Sequence, residues 1–174
     1  MKTIRWFLIL IVASPCFAVG GSQSRKEAEY YVAAYAHHYN VPIQLVRAVV
    51  EQESGWQECP VSPKGAAGLM QLMPNTAKRL NVQDRCNLSQ NVSGGVRYLA
   101  WLMSKFHGDL RLVAAAYYAG ERAVERRGLK YANPDVVSYV ASIRVRFERQ
   151  KQFRNTDFQR TPGEHDEGAI NSAD

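Results

Sequence analysis

The chain has 174 residues, 46% of them hydrophobic and 22% charged, and a formal net charge of +6. That is enough chain for one domain with a proper core, and the balance excludes both a disordered polyelectrolyte and an all-apolar membrane bundle. The excess positive charge raises nucleic acid as a partner. Against it, the late cations (Arg122, Arg126, Arg127, Lys130, Arg144, Arg146, Arg149 and Lys151) are interleaved with Glu121, Glu125, Asp135 and Glu148, the pattern of a solvated helix face.

Residues 1–18 read as a signal peptide. Lys2 and Arg5 precede the apolar run Trp6–Ala13, and Cys16-Phe17-Ala18 supplies small residues at the two positions read by a signal peptidase. The run is short for a membrane span, so no stable span is expected after cleavage. Losing Lys2 and Arg5 with the leader lowers the net charge from +6 to +4. Cleavage also leaves two cysteines, Cys59 and Cys86, which are expected to pair in an oxidising compartment. Export implies a periplasmic location, where nucleic acid is scarce. The four histidines (His37, His38, His107, His165) show no metal-binding spacing, so neither a metal nor any other cofactor is expected.

A first helix is expected over Ser24–Asn40, with Ser24 and Glu27 as a capping box. The second, Pro42–Glu53, starts on proline and is amphipathic. Val46, Val49, Val50 and Glu53 share one face, and Gln44, Arg47 and Glu51 share the other. Glu51 is then the ordinary solvated carboxylate. Glu53 sits at the edge of an apolar surface, where desolvation would raise its pKa towards a range useful to a general acid. Spacing alone leaves a second reading open, an end-of-helix glutamate that curls out to water.

Beyond Ser54-Gly55, Ser62-Pro-Lys-Gly-Ala-Ala-Gly-Leu-Met-Gln-Leu-Met-Pro74 is a small-residue loop running into a short helical stretch around 68–73. Gln71, between Met70 and Leu72, is a two-way hydrogen-bonding side chain in apolar company. Helices follow over Asn75–Leu80 and Val92–Phe106. In the latter, Val92, Val96, Leu99, Leu102, Met103 and Phe106 form one stripe, and Gly94-Gly95 suggests another backbone packed close. Leu110–Tyr118 and a last helix from Val136 to about Gln152 complete the set. Trp101, mid-helix, reads as core, whereas Trp56 lies in a loop three residues after Glu53, where an aromatic face suits stacking on a ligand. The polar residues 153–174 are expected to be disordered.

Glu53-Ser54, Gly68-Leu69-Met70-Gln71 and Ala116-Tyr117-Tyr118-Ala119-Gly120, in that order, resemble the motifs of the soluble lytic transglycosylase family, lysozyme-like enzymes that cleave the glycan strands of peptidoglycan. The resemblance covers roughly residues 29 to 147. It implies an all-α, lysozyme-like domain of the goose-type-lysozyme kind, placed at 24–152, with at most a minimal sheet. It also implies peptidoglycan as partner, Glu53 as the single catalytic acid and base, and a 1,6-anhydromuramic product. By position, Ser62 matches a substrate-positioning serine, Gln71 and Tyr117 match cleft residues, and Tyr139 matches a late tyrosine whose hydroxyl approaches the catalytic carboxyl. Tyr118 departs from the pattern, standing where the family usually has asparagine, and so puts sugar binding at that spot in doubt. The compact size resembles that of the specialised transglycosylases of conjugation, secretion and pilus systems, which implies components of such an assembly as partners. Two alternatives stay open: a goose-type hydrolase, which calls for a second carboxylate that the sequence does not single out, and a non-catalytic peptidoglycan-binding assembly module. Asp84, Asp109 and Glu121 are acidic but read as helix caps or solvated groups.

Overall fold

The computed structural model describes residues 20–128 and 133–159. Among these the elements are α1 (Gly20–His38), α2 (Ile43–Ser54), α3 (Pro74–Arg79), α4 (Leu88–Lys105), α5 (Leu110–Ala119), α6 (Glu121–Arg127) and α7 (Pro134–Gln159). The only β-structure among the described residues is a pair of isolated antiparallel bridges, Val61 with Ala67 and Ala67 with Leu72. The all-α expectation is met. The leader falls outside the described residues.

Helix α2 is the hub. Leu45, Val46, Ala48, Val49 and Val50 are all fully buried, so the helix is enclosed on most of its circumference rather than along one stripe. Its polar side is also covered, which corrects the reading of Glu51 as a solvated group. Glu51 pairs with Arg149 and Arg146 of α7, and Arg47 donates to Glu29 of α1 at 2.9 Å. The helix ends at Gly55, whose φ of 57° allows its N–H to turn back onto the Glu51 carbonyl.

Against this hub α1 buries Ala28, Val32 and Ala36, at the i, i+4 spacing of one helical face. A ladder of Tyr31, Tyr35 and Tyr39, with successive rings 6.2 Å apart, leans α1 on α4. There the Tyr35 hydroxyl meets Ser89 at 2.9 Å. Helix α1 starts before Ser24, so that residue caps nothing; its hydroxyl donates instead to Glu58. Helix α7 packs on both α2 and α5 and runs on to Gln159, past the expected end at Gln152.

Residues 68–73 are not helical. They form a tight turn clamped by the two bridges and by Asn91, a fully buried side chain of α4. Asn91 Oδ1 accepts the Met70 N–H at 2.8 Å, while Nδ2 donates to the carbonyls of Ala67 and Arg85 at 3.0 and 2.8 Å. The glycine pair of α4 makes room for side chains rather than for a second backbone. A Cβ on Gly95 would fall 2.4 Å from the Met70 sulfur, and one on Gly94 would fall 2.5 Å from Val82. Cys59 and Cys86 are disulfide-bonded with Cα atoms 5.0 Å apart, closing a segment of 27 residues around this loop. Constraining a loop of that length contributes about 3–4 kcal/mol in the chain-entropy description.

Replacing Asn91 by alanine deprives the buried Met70 N–H and the part-buried Arg85 carbonyl of their bonds. The expected outcome is a loss of about 2–5 kcal/mol of unfolding free energy, read as a lower denaturant midpoint at unchanged slope.

Candidate active site

Glu53 lies in the last turn of α2, with its carboxyl turned inward. The Tyr139 hydroxyl, delivered by α7, donates to Glu53 Oε1 at 2.5 Å across 86 residues of sequence. Desolvation is the dominant influence and pushes the Glu53 pKa from 4.5 up to about 7, with the Tyr139 bond acting in the opposite direction. Burial likewise raises the phenols of Tyr139 and Tyr117 well above their ordinary value, and the Glu53 charge adds to both. Since Tyr139 occupies Oε1, Oε2 is the oxygen left to carry the proton of the neutral acid.

The other side chains converge on a neighbouring cleft of about 260 Å³ lined by Gln71, Tyr117, Tyr118, Arg79, Tyr98 and Glu121, among others. Glu53 does not line it. Tyr118 joins the two: it is 47% exposed on the cleft wall, and its ring lies 4.8 Å from that of Tyr139, tilted by 31°. Tyr117 is held by its hydroxyl, which donates to the Met70 carbonyl at 2.8 Å. Gln71 adopts a left-handed φ of 47°, uncommon for a side-chain-bearing residue. Its Nε2 donates to the carbonyls of Pro60 and Gly68 at 2.7 and 3.1 Å. With the amide nitrogen tethered, its oxygen is free to accept from a ligand hydroxyl.

Two expected residues are placed elsewhere. Ser62 contacts its own loop, its hydroxyl accepting the Ala66 N–H at 3.0 Å, which is the turn-shaping arrangement. The hydroxyl proton remains available to a ligand. Trp56 is only 9% exposed, and the guanidinium of Arg25 lies 3.8 Å over its ring. The face it would offer to a sugar is therefore taken by a cation from α1, an arrangement that local sequence could not reveal.

Glu121 was expected to cap or be solvated, yet it stands in the cleft wall with a side chain 13% exposed. Arg79 bonds it at 2.9 Å and the Tyr98 hydroxyl at 3.0 Å. Burial works to raise its pKa, but the bonds from Arg79, from its own backbone and from Tyr98 together hold the carboxyl below the usual range. Arg79, Tyr98 and Glu121 were missed as cleft residues because they come from three separate helices. The other two carboxylates behave as read, Asp109 capping α5 and Asp84 accepting the Cys86 N–H. Among the described residues no cluster of His, Cys, Asp or Glu is placed to hold a metal ion.

The raised pKa has a signed consequence. Between 4.5 and about 7 the folded chain holds a Glu53 proton that the unfolded chain has released, so this group costs stability as pH rises and the cost levels off above 7. Glu53→Gln removes it. The variant is expected to gain on the parent by on the order of 2–3 kcal/mol between pH 4 and pH 8, measured by thermal unfolding. Tyr139→Phe should move the Glu53 titration, followed by carboxyl NMR, to still higher pH.

The transglycosylase SLT domain family model matches residues 30–137. Among curated proteins, the membrane-bound lytic murein transglycosylase F of Pseudomonas fluorescens is 29% identical over 155 residues, which is 82% of this chain and 31% of that protein. Among solved structures, an inactive mutant of the lytic transglycosylase Slt of Pseudomonas aeruginosa aligns with a TM-score of 0.63 at 24% identity, over 72% of this chain and 24% of that one. The 70 kDa soluble lytic transglycosylase of Escherichia coli aligns with a TM-score of 0.64 at 22% identity, over the same shares. The chain thus spans a third or less of the length of these relatives, and the structural likeness speaks for the fold. With the family model running from α1 through Glu53, Gln71 and Tyr117 to the start of α7, the chain belongs to the transglycosylase SLT domain family.

Proposed function

We propose that the protein is a peptidoglycan lytic transglycosylase acting on the β-1,4 bond between N-acetylmuramic acid and N-acetylglucosamine. The observation that carries this reading is Glu53 itself, a desolvated carboxyl with a pKa near 7 and one oxygen fixed by Tyr139. Such a group is populated in both protonation states near neutral pH, as a residue serving first as acid and then as base requires.

In the first half of the reaction Glu53 gives its proton to the glycosidic oxygen as the bond from that oxygen to C1 of muramic acid breaks. The sugar's own 2-acetamido oxygen supports the developing charge at C1, a route that needs no carboxylate nucleophile. In the second half the Glu53 carboxylate takes the proton of the C6 hydroxyl, and O6 closes on C1. The products are a free 4-hydroxyl and a 1,6-anhydromuramic end. No water is consumed and Glu53 is returned protonated. Tyr139 favours the carboxylate midway and keeps it aimed, while Gln71 and Tyr118, which line the cleft, hold the strand.

The hydrolase alternative needs a second carboxylate free to activate water. Glu121 is the acid in the cleft wall, but Arg79 and Tyr98 already engage its two oxygens, which favours the anhydro route. The leader-like residues 1–18 support an exported, periplasmic enzyme, and the resemblance to small members of the family supports one that opens the wall locally for an envelope-spanning secretion, conjugation or pilus assembly.

The test is mass spectrometry of fragments released from purified peptidoglycan. Fragments ending in 1,6-anhydromuramic acid are expected, with release lowered at least 10²–10⁴-fold in Glu53→Gln. Reducing ends that carry added water would establish the hydrolase instead, and retained binding without release would establish an assembly module.

A further inference from the structure

Where the family usually has asparagine, this chain places an aromatic ring. Tyr118 is the penultimate residue of α5, and its ring lies 4.8 Å from that of Tyr139 on α7, tilted by 31°. Among the described residues it is the only ring paired with Tyr139. An asparagine, with a short stem and no ring, could not make this contact.

The task of Tyr139 is geometrically demanding. Its hydroxyl donates to Glu53 Oε1 at 2.5 Å, and such a bond weakens steeply once donor and acceptor lose their alignment. The hydroxyl rides at the far end of a ring that turns about two side-chain bonds, so the ring has to be hemmed in for the bond to persist. Tyr139 is 5% exposed and does not line the cleft, whereas Tyr118, 47% exposed, does. Tyr118 thus stands between the open cleft and the phenol that serves the acid. Its neighbour Tyr117 is committed elsewhere, with its hydroxyl on the Met70 carbonyl and its ring 5.6 Å from Tyr98. The other carboxylate of this turn, Glu51, is held away by Arg146 and Arg149. Among the described residues, the titratable groups that feel the Glu53 charge are Tyr117 from α5 and Tyr139 from α7.

We propose that Tyr118 is a positioning residue for Glu53: its ring seats Tyr139 so that the Tyr139 hydroxyl points at Oε1 of the acid. The contact is between rings, so the hydroxyl of Tyr118 is not needed for it. The bearing of Tyr118 on catalysis rests on the reading of Glu53 as the acid of the reaction. The seating itself is a property of the free protein and requires no glycan.

The experiment is a double-mutant cycle read on the Glu53 titration, followed by carboxyl NMR of the ligand-free protein. Tyr139→Phe deletes the hydroxyl, and the displacement it causes in the Glu53 midpoint reports how well that bond is made. The displacement is measured in the parent, in Tyr118→Asn and in Tyr118→Phe. In Tyr118→Asn it is expected to fall to about half or less of its parent size, and in Tyr118→Phe, which keeps the ring, to match the parent. Each displacement is taken within one background, so any water that Tyr118→Asn admits to the acid cancels. Circular dichroism checks that each variant is folded, and Tyr118→Leu supplies a second ring-free variant should Tyr118→Asn unfold. A displacement of equal size in every background overturns the seating and leaves the role of Glu53 untouched. A loss in Tyr118→Phe as large as in Tyr118→Asn overturns it as well, because the ring is then not what acts. Release of peptidoglycan fragments by Glu53→Gln at the parent rate overturns the reading of the acid, and with it the catalytic bearing of Tyr118.

Discussion

The cleft hangs on the side-chain amide of Asn91. The segment from Cys59 to Met73 has little regular secondary structure, so most of its backbone polar groups lack ladder partners, and buried ones left unpaired are costly. Asn91 answers that need from inside α4, with its oxygen on one strand of the turn and its nitrogen bridging to the Cys86 side. Gly68 lets it do so. With φ at +82°, a Cβ there would lie 2.1 Å from both the Arg85 carbonyl and the Asn91 amide. Once the turn is set, Met70 presents its carbonyl to Tyr117 and Gln71 is pointed into the cleft. One buried side chain thus links the packing of a helix to the shape of a binding surface.

Glu53 is held by two opposed effects, and their imbalance is its usefulness. Burial drives the carboxyl towards neutrality, while the Tyr139 hydroxyl favours the charged form. Burial wins, but not outright, and the group ends near neutral pH rather than fully suppressed. A carboxylate two residues away on the same helix shows the other solution. Glu51 meets Arg146 and Arg149 across the α2–α7 interface and serves as a fastener. The difference comes from which face of α2 each residue occupies.

That facing was legible in the sequence, since the spacing of Val46, Val49, Val50 and Glu53 placed the acid on the apolar side. The stripe of α4 was equally plain, and Val92, Val96, Leu99 and Leu102 are all fully buried. What failed were features decided at long range. Leu69-Met70-Gln71-Leu72 has good helix formers, but the bridges and Asn91 impose a turn instead. Trp56 looked available because nothing nearby in sequence covers it, and Arg25 arrives from α1. Trp101 looked like core because it sits among apolar neighbours, yet it falls between the buried rows of α4. Helix α6 was not anticipated at all. It follows α5 directly through Gly120, so no loop signal separated the two, and its first residue turned out to face the cleft.

The last long helix, α7, contributes more than a wall. It packs on α2 and α5 and carries the tyrosine that completes the acid's setting. Without that helix docked, Glu53 loses the Tyr139 hydroxyl and the cover that α7 gives to α2. The unusual acid is therefore a property of the assembled fold, and a copy trimmed before α7 would carry every motif residue up to Gly120 without the partner that completes the acid's setting.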